Sequence, residues 1–186
     1  QAASTSEFLI QFCNAYFMTF IVPLAVAVLH VNTAIASQFI TAQGMAFVFA
    51  LFAFGSLSAR WGEVRFIAVA CAVISFALLT MGMANGSVLL MSGAIVLGAG
   101  LGMLQLSNLT AFGRISAVEG RGRIAGVIAL VGPVGSLSGA IVGGVIASFF
   151  GLRAMYFVLT TLFILLGAVT VIRALKVQPD IPLALD

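Results

Sequence analysis

Six long stretches without a charged residue limit how this chain can fold. They cover residues 8–29, 37–59, 66–84, 87–113, 124–151 and 154–172. Crossing a hydrocarbon layer of about 30 Å takes about 20 residues at the rise of an α-helix, and a helix satisfies its own backbone hydrogen bonds there. Each stretch is therefore long enough to span a membrane as a helix, and none shows the alternation that is typical of barrel strands.

The composition excludes a soluble domain. Only 7% of the 186 residues are charged and 62% are hydrophobic, so the charges are too few to cover a water-exposed surface. The sequence therefore predicts an all-α integral membrane protein, folded as one six-helix bundle over residues 1–186 in a lipid bilayer. The formal charge of +3 comes from basic residues at the ends of the stretches. We do not interpret it as a nucleic-acid-binding surface.

The basic residues are distributed unevenly between the two predicted faces of the membrane. Arg153 is the one basic residue of its face, and the other face carries Arg60, Arg65, Arg114, Arg121, Arg123, Arg173 and Lys176. By the positive-inside rule, the face with seven basic residues is cytoplasmic. An even number of helices then places both termini, with a tail at 176–186, on that side. We expect the membrane to be the bacterial cytoplasmic (inner) membrane.

A spaced pair of glycines occurs twice in the chain. Gly55 and Gly62 flank a basic segment that we interpret as a tight turn, and Gly144 and Gly151 repeat the spacing 89 residues later (144 minus 55). The repetition predicts two units of three helices, at about 7–85 and 86–175. Because three is odd, the second unit runs through the membrane inverted, which is typical of secondary transporters.

The segment from Gly55 to Arg65 resembles the loop signature of the major facilitator superfamily. Gly55, Leu57, Arg60 and Gly62 match, and Ala59 stands where that family carries Asp. The segment that begins at Arg121 and Arg123 is similar to the family's entry to its fifth helix.

The resemblance implies one half of a two-half fold, with a second six-helix half in the same polypeptide or in a homodimer mate. We favour the C-terminal half, because Ala59 and Ala94 lack the acidic and basic signatures of N-terminal halves. It also implies secondary active transport of a small organic solute by alternating access, with efflux as one direction. The alternative is a non-transporting subunit that scaffolds a larger membrane complex.

Two helices carry signs of close packing or bending. In the fifth stretch, glycines recur every four residues, which places them on one helix face and lets another backbone approach. A proline removes a backbone hydrogen bond and favours a bend. The residues concerned are Pro23, Gly132, Pro133, Gly135, Gly139 and Gly143.

Four amide side chains are candidates for lining a solute path. They are Gln11 and Asn14 on the first helix and Gln105 and Asn108 on the fourth. Helix direction places both pairs in the cytoplasmic half of the membrane, and in the family the first and fourth helices line the path. The alternative is that the amides only bond neighbouring helices. The six stretches contain no Asp, Glu, Lys or Arg, so Glu7, at the edge of the first, is the one candidate for a proton relay. The expected alternative is a solvated carboxylate at a helix start.

The arginines suggest a second hypothesis. Arg60 and Arg65 in one connection, with Arg114, Arg121 and Arg123 in another, form a candidate cytoplasmic gate. The alternative is that they set topology and bind lipid headgroups.

Enzymatic chemistry is not indicated by the sequence. It offers no nucleophile–base pair and no carboxylate pair at usable depth. Cys13 and Cys71 both fall inside apolar stretches, so we expect no disulfide, metal site or cofactor.

Overall fold

The computed structural model describes residues 2–119 and 121–177, and all of the regular structure in this part is helical. The helices are α1 (Ala2–Ala27), α2 (Thr33–Ala53), α3 (Gly55–Trp61), α4 (Glu63–Gly82), α5 (Ser87–Glu119), α6 (Arg121–Phe150) and α7 (Ala154–Val177). Six of them, all except α3, are long and apolar enough to cross a membrane. The six predicted spans are therefore confirmed as helices. The predicted tail lies outside the described residues from position 178 onward.

Two connections differ from the sequence prediction. The segment interpreted as a tight turn contains the seven-residue helix α3, which Gly62 ends with a positive φ of 78°. Helix α5 continues to Glu119 and α6 begins at Arg121, so most of the basic connection between them is helical. Charged residues end an apolar stretch without ending a helix, because their backbones keep the same hydrogen-bonding capacity.

The two ends of the bundle differ in charge. One end, called the basic end here, holds α3, the start of α4, the end of α5 and the end of α7, with Arg60, Arg65, Arg114 and Lys176. At the opposite end, the Arg153 guanidinium donates to the Ala84 carbonyl over 2.7 Å and caps the end of α4. Arg153, the single basic residue of that face, therefore satisfies a carbonyl at the end of α4.

In the main contacts between the two predicted units, the second helix of each unit packs on the first helix of the other. Helix α2 packs mainly on α5, α1 packs mainly on α6, and α4 packs on α5 and α7. If α1, α2 and α4 correspond to α5, α6 and α7, the α2–α5 contact maps onto the α6–α1 contact. Gly62 and Gly151, the second glycines of the repeated pair, also share a positive φ. An inverted duplication produces such a pattern, and the unit bounds of 7–85 and 86–175 stay a prediction.

Glycine allows close approach in the α1–α6 and α2–α5 contacts. A Cβ built on Gly135 would lie 2.8 Å from the Phe8 carbonyl oxygen, and one on Gly139 would overlap the Phe12 carbonyl. On α5, a Cβ on Gly102 would lie 2.5 Å from the Phe47 carbonyl oxygen of α2. Backbones therefore touch along both contacts, as they do where small residues line membrane helices. Gly143 similarly meets the Tyr16 ring.

The two prolines do not interrupt their helices. Both α1 and α6 continue through Pro23 and Pro133, and both prolines are exposed. A Cβ on Gly132 would meet nothing within 4 Å. The bending role assigned to these three residues stays a prediction.

We predict that Gly139→Ala destabilises the protein by about 1–3 kcal/mol, since the new methyl group must displace the α1 backbone. Gly144→Ala is the matched control, because a Cβ there would lie at an ordinary 3.6 Å from Phe20. Thermal unfolding in detergent measures both variants. Equal unfolding midpoints for the two variants would contradict the close α1–α6 contact.

Candidate functional site

A buried polar network joins α1 to α5 near the basic end. Glu7 and Asn108 are each 3% exposed and Ser6 is buried beside them. The Asn108 amide donates to Glu7 Oε2 over 3.1 Å, and Gln11 donates to Glu7 Oε1 over 3.0 Å. The Ser6 hydroxyl donates to Asn108 Oδ1 over 2.5 Å. Each oxygen of the Glu7 carboxylate thus accepts an amide hydrogen bond.

The expectation that Glu7 is a solvated carboxylate is wrong. Helix α1 begins at Ala2, so Glu7 lies in its second turn, where α5 passes beside it. Among the described residues, no cation pairs with Glu7. Arg114, the charged side chain nearest along α5, pairs with Glu63 instead. Glu7 is therefore a buried carboxyl group whose described hydrogen-bond donors are both neutral amides.

A second amide pair joins α1 to α2. The Gln43 amide, 1% exposed, donates to Asn14 Oδ1 over 3.2 Å. Its own Oε1 is buried and has no hydrogen-bond partner among the described residues, and the same holds for Gln105 Oε1. An amide oxygen in this condition retains its capacity to accept a hydrogen bond.

The four amides proposed to line a path have different surroundings. Gln11, Asn14 and Gln105 are half-buried, whereas Asn108 is enclosed between α1 and α5. Gln11 and Asn14 share a face of α1 with Met18, which is 45% exposed. The structure therefore brings Gln11 and Asn108 together through Glu7, and the lining role stays a prediction.

Sequence reasoning did not select three members of this arrangement: Ser6, Glu7 as a buried group, and Gln43. Ser6 and Glu7 precede the first uncharged stretch or lie at its edge, where residues are normally solvated. Gln43 is an amide at the middle of α2. That position is a usable signal, because amides inside membrane helices commonly hydrogen-bond to a neighbouring helix.

Among its described residues, the candidate gate at the basic end contains one ion pair. Arg114 Nη1 lies 2.9 Å from Glu63 Oε2, with side-chain exposures of 70% and 39%. Gly55, Gly62 and Arg114 help to line a cavity of about 220 Å³ beside this pair. Arg60 and Arg65 are exposed, and the side chains of Arg121 and Arg123 lie outside the described part of the chain. The gating role of these arginines stays a prediction.

The cysteines do not lie in a shared site. Cys13 and Cys71 are both buried and free. Within residues 2–119 and 121–177, no group of three or more His, Cys, Asp or Glu side chains could hold a metal ion.

The chain is a polytopic membrane protein built like half of a transporter. It has six membrane-spanning helices, the paired α1–α6 and α2–α5 contacts, and a buried polar network. The sequence model of the Major Facilitator Superfamily matches residues 6–184, so the chain belongs to this superfamily. It is similar to an uncharacterised MFS-type transporter of Mycobacterium tuberculosis, with 26% identity over 160 residues. The match covers 86% of this chain and 27% of the relative, so the chain spans about a quarter of that protein's length.

We predict that Asn108→Leu lowers the free energy of unfolding by about 1–3 kcal/mol, because it leaves a Glu7 oxygen without its donor. Thr110→Val is the matched control on the same helix, since the Thr110 hydroxyl is exposed and donates only to Leu106 of its own helix. Thermal unfolding in detergent compares the two. The effect of Asn108→Leu should shrink in a Glu7→Leu background, because both partners are then apolar. Additive effects would show that the two residues are not coupled.

Proposed function

We propose that this chain is one six-helix half of a secondary active transporter that moves a small organic solute by alternating access. Membership of the Major Facilitator Superfamily supports the transport role, and so does the relative described as an MFS-type transporter. The observation that carries the proposal is the buried Glu7 carboxyl group between α1 and α5. Glu7 lies within the span that begins at Ser4, and ionisable groups within membrane spans are characteristic of ion and substrate pathways.

The second half of the transporter would complete an open apolar flank. Two corresponding helices, α2 and α6, carry large exposed apolar side chains, with Phe52 at 83% and Leu137 at 64%. The span within α6 is the least enclosed of the six, and that within α2 is the next. A second six-helix bundle, in the same polypeptide or in a second copy, would pack against these faces, and lipid would cover what remains.

Glu7 is the group we assign to coupling. Its two oxygens accept hydrogen bonds from two amides, and no described cation pairs with it. A proton or a cationic solute that binds the carboxyl group would compete with these amide bonds, and its release would restore them. This difference between two states is what an alternating-access cycle requires for coupling.

The solute we infer is neutral or amphipathic. Gln11 and Asn14 offer amide groups without charge, and Met18 offers a soft apolar surface on the same face of α1. In this proposal Gln11 and Asn14 contact the solute directly. Asn108 on α5 holds α1 in position through its bond to Glu7, and Gln105 offers a further amide on the same helix.

We predict that Glu7→Gln removes nearly all proton-driven transport and leaves the fold intact, because Gln keeps an acceptor oxygen but cannot ionise. The measurement is uptake of neutral and singly cationic organic solutes by liposomes containing the intact protein, with and without a proton gradient. Glu63→Gln is the matched control and should retain the proton-driven component, since the Glu63–Arg114 pair is exposed. If the two variants respond equally to the gradient, Glu7 is not the coupling group.

We further predict that cysteines at positions 11 and 14 react with small aqueous thiol reagents and that bound solute slows the reaction. The background carries Cys13→Ala and Cys71→Ala. A cysteine at position 17 is the control on the same helix, because Phe17 is fully buried, and it should stay inert. Cysteines at positions 105 and 108 should react more slowly than those at 11 and 14. Uniformly inert thiols would contradict the proposed path, and a protein that assembles but moves no solute would instead be a scaffolding subunit.

A further inference from the structure

An apolar groove runs along the contact between α4 and α7. Its volume is about 420 Å³, and small side chains line it, including Ala68, Ala72, Gly167 and Ala168. Helix α7 packs mainly on α4, whereas Glu7 and its partners lie on α1 and α5. The groove is therefore a separate site from the proposed solute path.

The groove offers no free hydrogen-bonding group. Ser75 lies along it, but the Ser75 hydroxyl donates to the Cys71 carbonyl of its own helix over 2.7 Å. A Cβ on Gly167 would lie 3.1 Å from Cys71 Cβ, so the helices meet in the groove floor and diverge above it. An open apolar groove between two membrane-spanning helices can accommodate a hydrocarbon chain.

The two sides of the groove each continue to a cation at the basic end. On α4, Arg65 precedes Ala68, Ala72 and Ser75 with spacings of three, four and three residues. On α7, Lys176 follows Ala168 and Ile172 with spacings of four. Side chains three or four residues apart share a helix face. Arg65 and Lys176 therefore lie above the same end of the groove, one on each side.

Both cations are available to a ligand. Arg65 and Lys176 are exposed, and neither forms an ion pair with any described residue. Arg173 is rotated by about 100° from Ile172 around α7, so it lies off the groove. An apolar channel that ends between two exposed cations is complementary to a molecule with a long hydrocarbon chain and an anionic head.

We propose that the α4–α7 groove binds an anionic phospholipid, with an acyl chain between the helices and its phosphate between Arg65 and Lys176. Anionic lipids concentrate in the cytoplasmic leaflet, which is the side predicted for the basic end. Lysine and arginine near that surface each strengthen binding. The site does not depend on the transport proposal, because it needs neither Glu7 nor a solute.

Native mass spectrometry of the intact protein tests the site with two lipids that share the same acyl chains, phosphatidylglycerol and phosphatidylcholine. The wild-type protein should retain phosphatidylglycerol about tenfold more strongly, since the two headgroups differ in net charge. Arg65→Gln combined with Lys176→Gln should abolish that preference. Arg60→Gln is the matched control, because Arg60 is exposed at the same end on α3 and off the groove.

A groove-filling variant tests the acyl chain. Ala168→Trp should lower retention of both lipids, and Val169→Trp, at an exposed neighbour that does not line the groove, should not. Gel-filtration profiles establish that both variants fold. Equal retention of the two lipids by the wild-type protein would overturn the proposal, and so would full competition by glycerol phosphate, which lacks a chain. A change in oligomeric state with Ala168→Trp, at unchanged lipid retention, would assign the groove to a helix of a second copy and overturn it too.

Discussion

The absence of water at membrane depth governs this structure. A polar group there must find its partner inside the protein, since the hydrocarbon layer offers none. Four residues meet that requirement by bonding to one another: Ser6, Glu7, Gln11 and Asn108. Their hydrogen bonds join α1 to α5. Gln43 and Gln105 each retain an unpaired buried oxygen. Both oxygens of the Glu7 carboxyl group therefore have donors, whereas the amide oxygens of Gln43 and Gln105 have none among the described residues.

Glycine and polar residues have different tasks in the bundle. Gly98 and Gly102 bring α5 onto α2, and Gly135 and Gly139 bring α6 onto α1, by letting backbones touch. Those contacts supply dispersion energy without side-chain entropy cost. At Gly143 the ring of Tyr16 packs against the helix, so glycine also makes room for a side chain. Side chains with hydrogen-bonding groups add the polar contacts between helices.

The sequence predicted the parts of this fold that depend on composition and period. Six uncharged stretches of spanning length gave six helices, and the four-residue spacing of Gly135 and Gly139 identified a packing face. Helix α3 was missed because a segment with Gly55 and two serines has the composition of a turn, and only its neighbours hold it helical. The burial of Glu7 was missed for a related reason. No local pattern states that the end of α5, a hundred residues later, covers the second turn of α1.

The fixing of α1 at two separate points has a mechanical consequence. Near the basic end its position is set by the bonds of Glu7, and toward the opposite end the Tyr16 hydroxyl donates to the Leu152 carbonyl over 2.6 Å. Between these points the glycines of α6 keep the two helices in close contact. Loss of the bonds at one point would leave the other as a pivot, so α1 would tilt instead of shifting along its axis.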